Sequence, residues 1–148
     1  REPFPEPPLP PSGVFRMERR VAWHDLDTAG HVNNANYLLY VEDASVQVAE
    51  AFGWPVTRLT GEGYGIFARS YWIEYAQSAT LGDTLAIRTW LSDFGRTHGE
   101  RHYAVTRAAD GAEILRARAA WVLVDKVTGR PTRIPDNFRA DFAPNTSA

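Results

Sequence analysis

The sequence of 148 residues contains no cysteine. Disulfide bonds, thiol nucleophiles and cysteine metal clusters are therefore excluded. The sequence also lacks a signal-peptide pattern and any apolar run long enough to cross a bilayer, so we expect a cytoplasmic protein with no membrane partner. An excess of basic residues is missing too, because the formal net charge is −2. This charge balance argues against nucleic acid as a partner.

The composition supports one hydrophobic core. Hydrophobic residues make up 44% of the chain and aromatic residues 12%, and a chain of this length hardly buries two cores. Residues 1–12 hold six of the ten prolines, which favours an extended arm over helix or sheet. We predict a disordered Pro-rich arm at 1–12, one domain at 13–143 and a flexible tail at 144–148.

A polar, glycine-broken stretch at residues 23–37 leads into the most regular pattern in the chain. Apolar residues recur at three- and four-residue steps over 37–52, which predicts a long helix. The N–H groups left free at the start of this helix favour a developing negative charge, and Asp27 is predicted to lie beside them. Candidate caps of the first turn are Asn33, Asn34 and Asn36.

Five strand-like runs surround this helix, one before it and four after it, with glycine-containing turns between the later runs. Tight turns between strands imply antiparallel pairing, and a helix with a broad apolar surface needs a sheet to cover it. We predict an α+β fold in which a long central helix is wrapped by a curved, mostly antiparallel five-stranded sheet. The predicted strands span 14–23, 66–75, 84–94, 98–108 and 113–124.

The run Asp27-Thr-Ala-Gly-His-Val-Asn-Asn-Ala-Asn-Tyr37, followed by a long helix, resembles the 4-hydroxybenzoyl-CoA thioesterase branch of the hotdog-fold acyl-CoA thioesterases. It is also similar to the plant acyl-carrier-protein thioesterases, which share its Asp-Leu-Asp and His-Val-Asn-Asn segments. The similarity covers roughly 14–142. It implies a single hotdog domain that hydrolyses an acyl thioester of coenzyme A or of a carrier protein. No cofactor is implied, because coenzyme A enters only as part of the substrate.

The resemblance also implies roles for individual residues. The second Asp of the loop is the catalytic carboxylate of the hydroxybenzoyl branch, and Asp27 occupies that position, as nucleophile or as base for a water. The backbone N–H that binds the thioester oxygen falls on Asn34. His31 matches a histidine in the catalytic set of the plant branch, although Ala29 stands where that branch has an asparagine.

Other polar residues have competing interpretations. Another hotdog branch uses a carboxylate on the helix, so Glu42 or Asp43 is the alternative to Asp27. We favour the simpler interpretation that both residues face solvent or a dimer partner. Asp25 is interpreted as a residue that holds the turn. His98 and His102 lie four apart on a predicted strand, about 13 Å from one another, and this spacing excludes a shared zinc ion. We predict no metal site.

A further set of residues is predicted to bind substrate. Arg96 corresponds to a turn position where the hydroxybenzoyl branch has an arginine on the nucleotide phosphates. Aromatic residues of the helix and of the strand at 66–75 are expected to wall the acyl pocket, although core packing would also explain them. The predicted substrate-binding residues are Asn33, Tyr37, Phe67, Tyr71 and Arg96, with Trp54 as a further pocket wall.

The resemblance further implies a homodimer or a dimer of dimers. In such an assembly Asp27 of one subunit faces the strand at 66–75 of the other. Two alternative functions are left open by the sequence. One is a hotdog dehydratase or hydratase, against which the Asp-Leu-Asp loop argues, and the other is a non-catalytic module that binds acyl thioesters.

Overall fold

A computed structural model describes residues 9–10 and 13–147, so most of the predicted arm at 1–12 lies outside the described residues. Within this part of the chain, five strands and three α-helices are connected by short turns. In chain order they are β1 (Phe15–Arg20), α1 (Asn34–Ala51), α2 (Val56–Gly61), β2 (Tyr64–Tyr75), β3 (Thr84–Ser92), β4 (His98–Arg107), β5 (Glu113–Asp125) and α3 (Asp136–Phe142).

The strands form one sheet in the order β1-β3-β4-β5-β2, and every neighbouring pair is antiparallel. The sheet is curved around a single long helix, which confirms the predicted α+β hotdog fold. β2 lies at the edge of the sheet, where its one partner among the described strands is β5, and its register shifts between Ala68 and Ser70. The extra residue at this β-bulge is Arg69, and such bulges bend the strand that carries them.

α1 packs on the inner face of the sheet because its apolar residues fall on one side. This face brings Tyr37, Tyr40, Val41 and Ala44 against inward residues of β3, β4 and β5. Those sheet residues alternate with outward ones, as the two-residue period of a strand requires. They are Leu85, Ile87, Tyr103, Val105, Leu115, Ala117 and Ala119.

A second, mostly aromatic cluster lies beyond the carboxyl end of α1. It joins α2 and α3 to β5 and the end of β3, and its rings are close: the centroids of Phe138 and Phe142 are 4.6 Å apart. Trp54 is tied to α3 because its indole N–H donates to Asp141 over 2.9 Å. The buried members are Trp54, Leu59, Leu91, Trp121, Leu123, Ile134, Phe138 and Phe142.

Two segments differ from the sequence prediction. The first strand ends at Arg20 rather than at 23, because residues Trp23–Asp25 form a short 3-10 turn. At the other end of the chain, residues 144–147 pack on the sheet where a flexible tail was predicted. Asn145 is 0% exposed, and its side-chain amide donates to the carbonyls of Gly13 and Thr89. These two bonds fix the segment against β3.

Helix length and composition also bear on membrane association. Over the described residues, no helix is both long enough and apolar enough to cross a membrane.

Candidate active site

The polar loop before α1 folds as a small hairpin. Leu26 and Val32 form an isolated bridge, and the N–H of Asp27 donates to the carbonyl of His31 over 2.7 Å. Gly30 closes the turn with φ of +79°, a left-handed conformation that glycine adopts without a Cβ penalty. The loop is thereby held in one shape, with its carboxylates facing different surroundings.

Asp27 presents an exposed carboxylate at the edge of this hairpin. Its Oδ1 atom accepts hydrogen bonds from the N–H groups of Ala29, at 2.9 Å, and His31, at 3.2 Å. Among the described residues nothing donates to Oδ2. One oxygen is therefore fixed by the loop backbone, while the other is open to a water or a ligand.

Asp25, two residues earlier, is 5% exposed, and one of its carboxylate oxygens accepts two hydrogen bonds. Its Oδ2 atom accepts from the Tyr40 hydroxyl at 2.7 Å and from the N–H of Ala22 at 3.0 Å. Burial raises the pKa of Asp25, but the hydrogen bonds from Tyr40 and Ala22 outweigh it and hold the pKa below its ordinary value. Its carbonyl accepts from the N–H of Asn33 and the side chain of Asn36. Asp25 thus fastens the loop to α1.

The first turn of α1 lies directly behind the loop. Asn33 is the N-cap, and its side-chain oxygen accepts from the N–H of Ala35 over 2.9 Å. The N–H of Asn36 donates to the carbonyl of Asn33. The N–H of Asn34, by contrast, has no acceptor in the described part of the chain. Such a donor at the positive end of a helix is suited to an oxyanion.

His31 is exposed, and its backbone rather than its ring holds the loop together. Its N–H donates to Asp27, and the residue bridges Thr80 in the neighbouring turn. No hydrogen bond of the imidazole is found among the described residues. The ring is therefore free to orient toward a water or a ligand beside the carboxylate of Asp27.

A cavity of about 500 Å³ opens beside the carboxyl half of α1. This volume lies within the usual range for small-molecule sites. The predicted pocket walls Trp54, Phe67 and Tyr71 all line it. The other lining residues are Glu42, Ser45, Val46, Ala49, Val56, Leu59, Thr60, Gly65, Ile66, Ala68, Leu91, Arg101, Tyr103, Ala119, Trp121, Phe138 and Phe142.

Polar groups lie both at the rim and in the interior of this mainly apolar cavity. Glu42 is exposed on α1 and accepts a hydrogen bond from the Tyr71 hydroxyl, while Ser45 and Tyr103 are hydrogen-bonded deeper inside. Burial raises the pKa of Tyr103, so its hydroxyl keeps its proton. Arg101, on β4, is also buried and lines the cavity. Glu42 and Arg101 are the two charged residues in the lining.

Sequence reasoning missed Arg101. The run His-Gly-Glu-Arg-His at the start of β4 has the composition of a solvated strand, so no pocket role was inferred from it. A signal was nevertheless present, because alternation along β4 places Arg101 on the same face as Tyr103 and Val105, both of which are buried in the core.

Three residues predicted for substrate binding lie elsewhere. The side chain of Asn33 caps α1. Tyr37 is buried in the core, where its hydroxyl accepts the N–H of Ala79 over 3.0 Å. Arg96 is exposed in the turn between β3 and β4, and its carbonyl accepts from the N–H of Ile134. None of the three lines the cavity.

Three other side chains on the outer face of the sheet have ligand atoms within 4.8 Å of one another: Asp93, Glu100 and His102. His102 is the buried member, and its Nε2 is 2.6 Å from Ser92 Oγ. Burial, followed by the charge of Arg118, lowers the pKa of His102 to about 4, so the ring is neutral at pH 7. The group includes His102 but not His98, and it is separate from the loop and the cavity.

Comparison with known proteins identifies the family. The model of the Thioesterase-like superfamily matches residues 21–142. The chain belongs to this superfamily. The matched range of the thioesterase-like chain contains the loop, α1 and all strands except β1, and it confirms the resemblance seen in the sequence.

Individual relatives agree with this assignment. The thioesterase-like chain is 26% identical over 129 residues to the acyl-CoA thioester hydrolase YbgC of Escherichia coli, covering 87% of this chain and 96% of YbgC. It is 32% identical over 142 residues to the palmitoyl-acyl carrier protein thioesterase of Arabidopsis thaliana, covering 88% of this chain and 33% of that protein. The chain spans a third or less of the plant relatives that it matches.

A solved structure has the same fold. Slr0204, a 1,4-dihydroxy-2-naphthoyl-CoA thioesterase from Synechocystis, superposes with a TM-score of 0.81 at 18% sequence identity. The superposition covers 88% of this thioesterase-like chain and 96% of Slr0204. At this level of identity the likeness establishes the architecture.

Proposed function

We propose that this protein is a thioesterase, which hydrolyses an acyl-CoA or acyl-carrier-protein thioester to the free acid and the thiol. Membership of the superfamily supports this reaction, as do the printed activities of YbgC and of the plant relatives. The observation that carries the proposal is the pairing of an open Asp27 carboxylate oxygen with the unbonded N–H of Asn34 at the start of α1.

The chemistry requires polarisation of the thioester carbonyl and attack on its carbon. The N–H of Asn34 donates to the carbonyl oxygen, and one such preorganised donor is typically worth about 3 kcal/mol of barrier. Asp27 then either attacks the carbon through Oδ2, forming a mixed anhydride as the C–S bond breaks, or removes a proton from an attacking water. Water hydrolyses the anhydride in the first case and restores the carboxylate. Neither route needs a cofactor.

His31 has a supporting position in this scheme. The backbone N–H of His31 donates to Oδ1 of Asp27, so the residue that bears the imidazole lies next to the carboxylate. We assign it to orienting the water or the carboxylate. The replacement His31→Ala keeps the backbone donor and removes only the ring, so we expect a smaller loss of kcat than Asp27→Asn gives.

The proposed enzyme is a homodimer joined through β2. Among the described residues no strand pairs with the outer edge of β2. Four large apolar side chains along it are exposed, of which Phe67 is the most exposed at 61%. An unpaired edge with exposed apolar residues favours pairing with another strand. The exposed residues are Ile66, Phe67, Trp72 and Tyr75.

Antiparallel pairing of two β2 strands would also complete the site. The amino half of β2 lines the cavity, whereas Tyr75 at its other end donates to the carbonyl of Asn34 over 3.1 Å. Within one chain the cavity is lined by α1 residues from Glu42 to Ala49, which lie eight to fifteen residues after Asn34, about 12 to 22 Å along the helix. In the dimer the loop of one subunit approaches the cavity of its partner, so Asp27 and the acyl pocket come from different subunits.

The first experiment measures thiol release from short, medium, long and aromatic acyl-CoAs and from the matching acyl-carrier proteins. Turnover of at least one substrate class is expected. If no thioester is cleaved but acyl thioesters bind, the protein is a binding module. If 3-hydroxyacyl- and enoyl-CoA, included in the same assay, are interconverted by loss or addition of water, it is a dehydratase or hydratase.

A subunit-mixing experiment tests the shared site. Asp27→Asn removes the carboxylate and Ala49→Phe fills the cavity, so each variant alone is expected to be inactive. When the two are unfolded and refolded together, mixed dimers contain one site with an intact Asp27 and an intact cavity. Recovered activity supports a site shared between subunits, whereas continued inactivity of confirmed mixed dimers contradicts it.

A further inference from the structure

Arg101 is a buried cation without a counter-ion. It is 8% exposed, and no carboxylate of the described residues lies within 4.0 Å of its guanidinium. Arginine is rarely buried unless it is paired, because removing the charge from water is costly. Burial lowers the pKa of Arg101 only to about 10, so the side chain is still a cation at neutral pH.

The hydrogen bonds of Arg101 satisfy one side of the guanidinium. Its Nη1 donates to Thr89 Oγ1 at 3.1 Å and to Asn145 Oδ1 at 3.2 Å. A guanidinium has five N–H donors, and those on Nε and Nη2 have no acceptor among the described residues. The two bonds fix the plane of the group and leave one edge of it unused.

The unused edge is open rather than sealed. The fully enclosed, unpaired side-chain polar atoms of the described residues belong to Trp90, His102 and Trp121, and neither Nε nor Nη2 of Arg101 is among them. Since Arg101 lines the cavity and is otherwise buried, the cavity is the space that these donors reach. Trp121 lines the same cavity, but its indole N–H is enclosed and does not reach the cavity space.

We propose that the acyl group taken by this cavity ends in a carboxylate, which binds the free edge of Arg101. This inference rests on the proposed thioesterase function and specifies its substrate class as the monothioester of a dicarboxylic acid. A planar carboxylate matches two parallel N–H donors of a guanidinium. The apolar walls then contact the methylene or aryl segment between the two ends of the acyl group.

The other charged residue of the lining does not oppose this assignment. Glu42 is exposed on α1 and bonded to Tyr71, whereas Arg101 is buried on the sheet. An anionic end therefore passes a solvated carboxylate at the rim and meets the cation in the enclosed part of the cavity, where charge interactions are screened least.

The test compares chain-matched thioesters. For the wild type, kcat/KM with octanedioyl-CoA is expected to exceed that with octanoyl-CoA by about a hundredfold, because a site built for a polar group rejects an analogue that lacks it. Arg101→Met is expected to lose about a hundredfold on octanedioyl-CoA, so that the preference for this thioester over octanoyl-CoA disappears. Equal rates of the wild type on the two thioesters would overturn the proposal.

Matched variants separate recognition from folding. Thr89→Val removes one acceptor from Nη1 but keeps the cation, so it is expected to alter the melting temperature without changing the preference for octanedioyl-CoA. Arg101→Lys keeps the charge and loses the planar fork, so partial preference is expected. If Arg101→Met unfolds, a reduced preference in Arg101→Lys supports the proposal, and the full wild-type preference in Arg101→Lys contradicts it.

Binding without turnover distinguishes this inference from the proposed function. Calorimetry of the wild type with octanoate and with the uncharged octanamide is expected to give tighter binding of the carboxylate. If no thioester is hydrolysed but this difference is seen, the thioesterase assignment fails and the carboxylate site stands. If thioesters are hydrolysed and octanamide binds as tightly as octanoate, the carboxylate site fails alone.

Discussion

Asp25 and Asp27 are separated by one residue and occupy opposite environments. Asp25 is buried, and its carboxylate is bonded to Tyr40 and Ala22, while Asp27 is exposed with one oxygen held and one open. The first ties the loop to α1, and the second is left available at the edge of that loop. Environment, rather than residue type, separates a structural carboxylate from a reactive one.

This difference explains how the loop can hold in place the exposed carboxylate that we propose as the reactive group. Asp27 is bonded only within its own hairpin, so its position depends on the fastening that Asp25 provides to the helix. The N–H of Asn34 is set by the same fastening, since the carbonyl of Asp25 accepts from the neighbouring Asn33. Loss of Asp25 should therefore affect folding first, and loss of Asp27 should affect chemistry alone.

The largest expected effect on stability comes from Asp25→Ala. The change leaves the Tyr40 hydroxyl and the N–H of Ala22 without their shared acceptor, and hydrogen bonds to a charged group contribute about 1.5–3 kcal/mol each. We expect the free energy of unfolding to fall by about 3 kcal/mol, measured by urea denaturation at pH 7. A loss below about 0.5 kcal/mol would show that Asp25 does not hold the loop.

A second prediction uses pH. The pKa of Asp25 in the folded protein lies below its ordinary value of 3.8, so the folded state binds this proton more weakly than the unfolded state. The resulting stabilisation is complete above the ordinary pKa and is lost as the pH falls through the lower folded pKa. The difference in unfolding free energy between wild type and Asp25→Asn should therefore be constant near neutrality and shrink below about pH 4.

Removing the helix cap should have an intermediate effect. Asn33→Ala deletes the side-chain acceptor of the Ala35 N–H, and an N-cap replacement of this kind costs about 1 kcal/mol. Fraying of the first turn also moves the Asn34 N–H, so kcat should fall along with stability. Asn33→Asp, which keeps a capping oxygen, is the control and should restore stability.

The amino-acid pattern predicted the framework well. The apolar spacing over 37–52 and the turn residues between later strands were sufficient for the long helix and the five-stranded sheet, because both follow from local periodicity. The asparagine run indicated the start of the helix, and Asn33 is indeed its cap. The ends of the strands were predicted less accurately. β1 ends at Arg20 rather than at 23, and just after it the Asp25 carboxylate accepts a hydrogen bond from the N–H of Ala22 where the chain turns.

Contacts between distant segments were not predictable in the same way. The cavity combines residues of α1, β2, β4 and α3, and no local pattern links Arg101 to them. Arg101 and Thr89 make hydrogen bonds with Asn145, and these bonds join two strands to the last turn of the chain. The polar composition of 144–148 had instead predicted a flexible tail. Tyr37 is buried in the core of this chain, and helical spacing alone does not distinguish such a core position from a pocket wall.

The smallest expected effect on stability is that of Asp27→Asn. The asparagine retains an oxygen for the N–H groups of Ala29 and His31, and the side chain is exposed. Exposed replacements of this kind usually change the unfolding free energy by less than about 0.5 kcal/mol. A loss comparable to that of Asp25→Ala would remove the contrast between the two carboxylates.

The most direct test of the account is the turnover rate of Asp27→Asn on the best acyl-CoA substrate of the wild type, measured on protein whose urea denaturation curve matches the wild type. We predict a loss in kcat of about a hundredfold or more, because the replacement removes the oxygen of Asp27 that attacks the thioester or accepts the proton of water. A rate within about threefold of wild type would contradict the assignment of Asp27 to the chemical step.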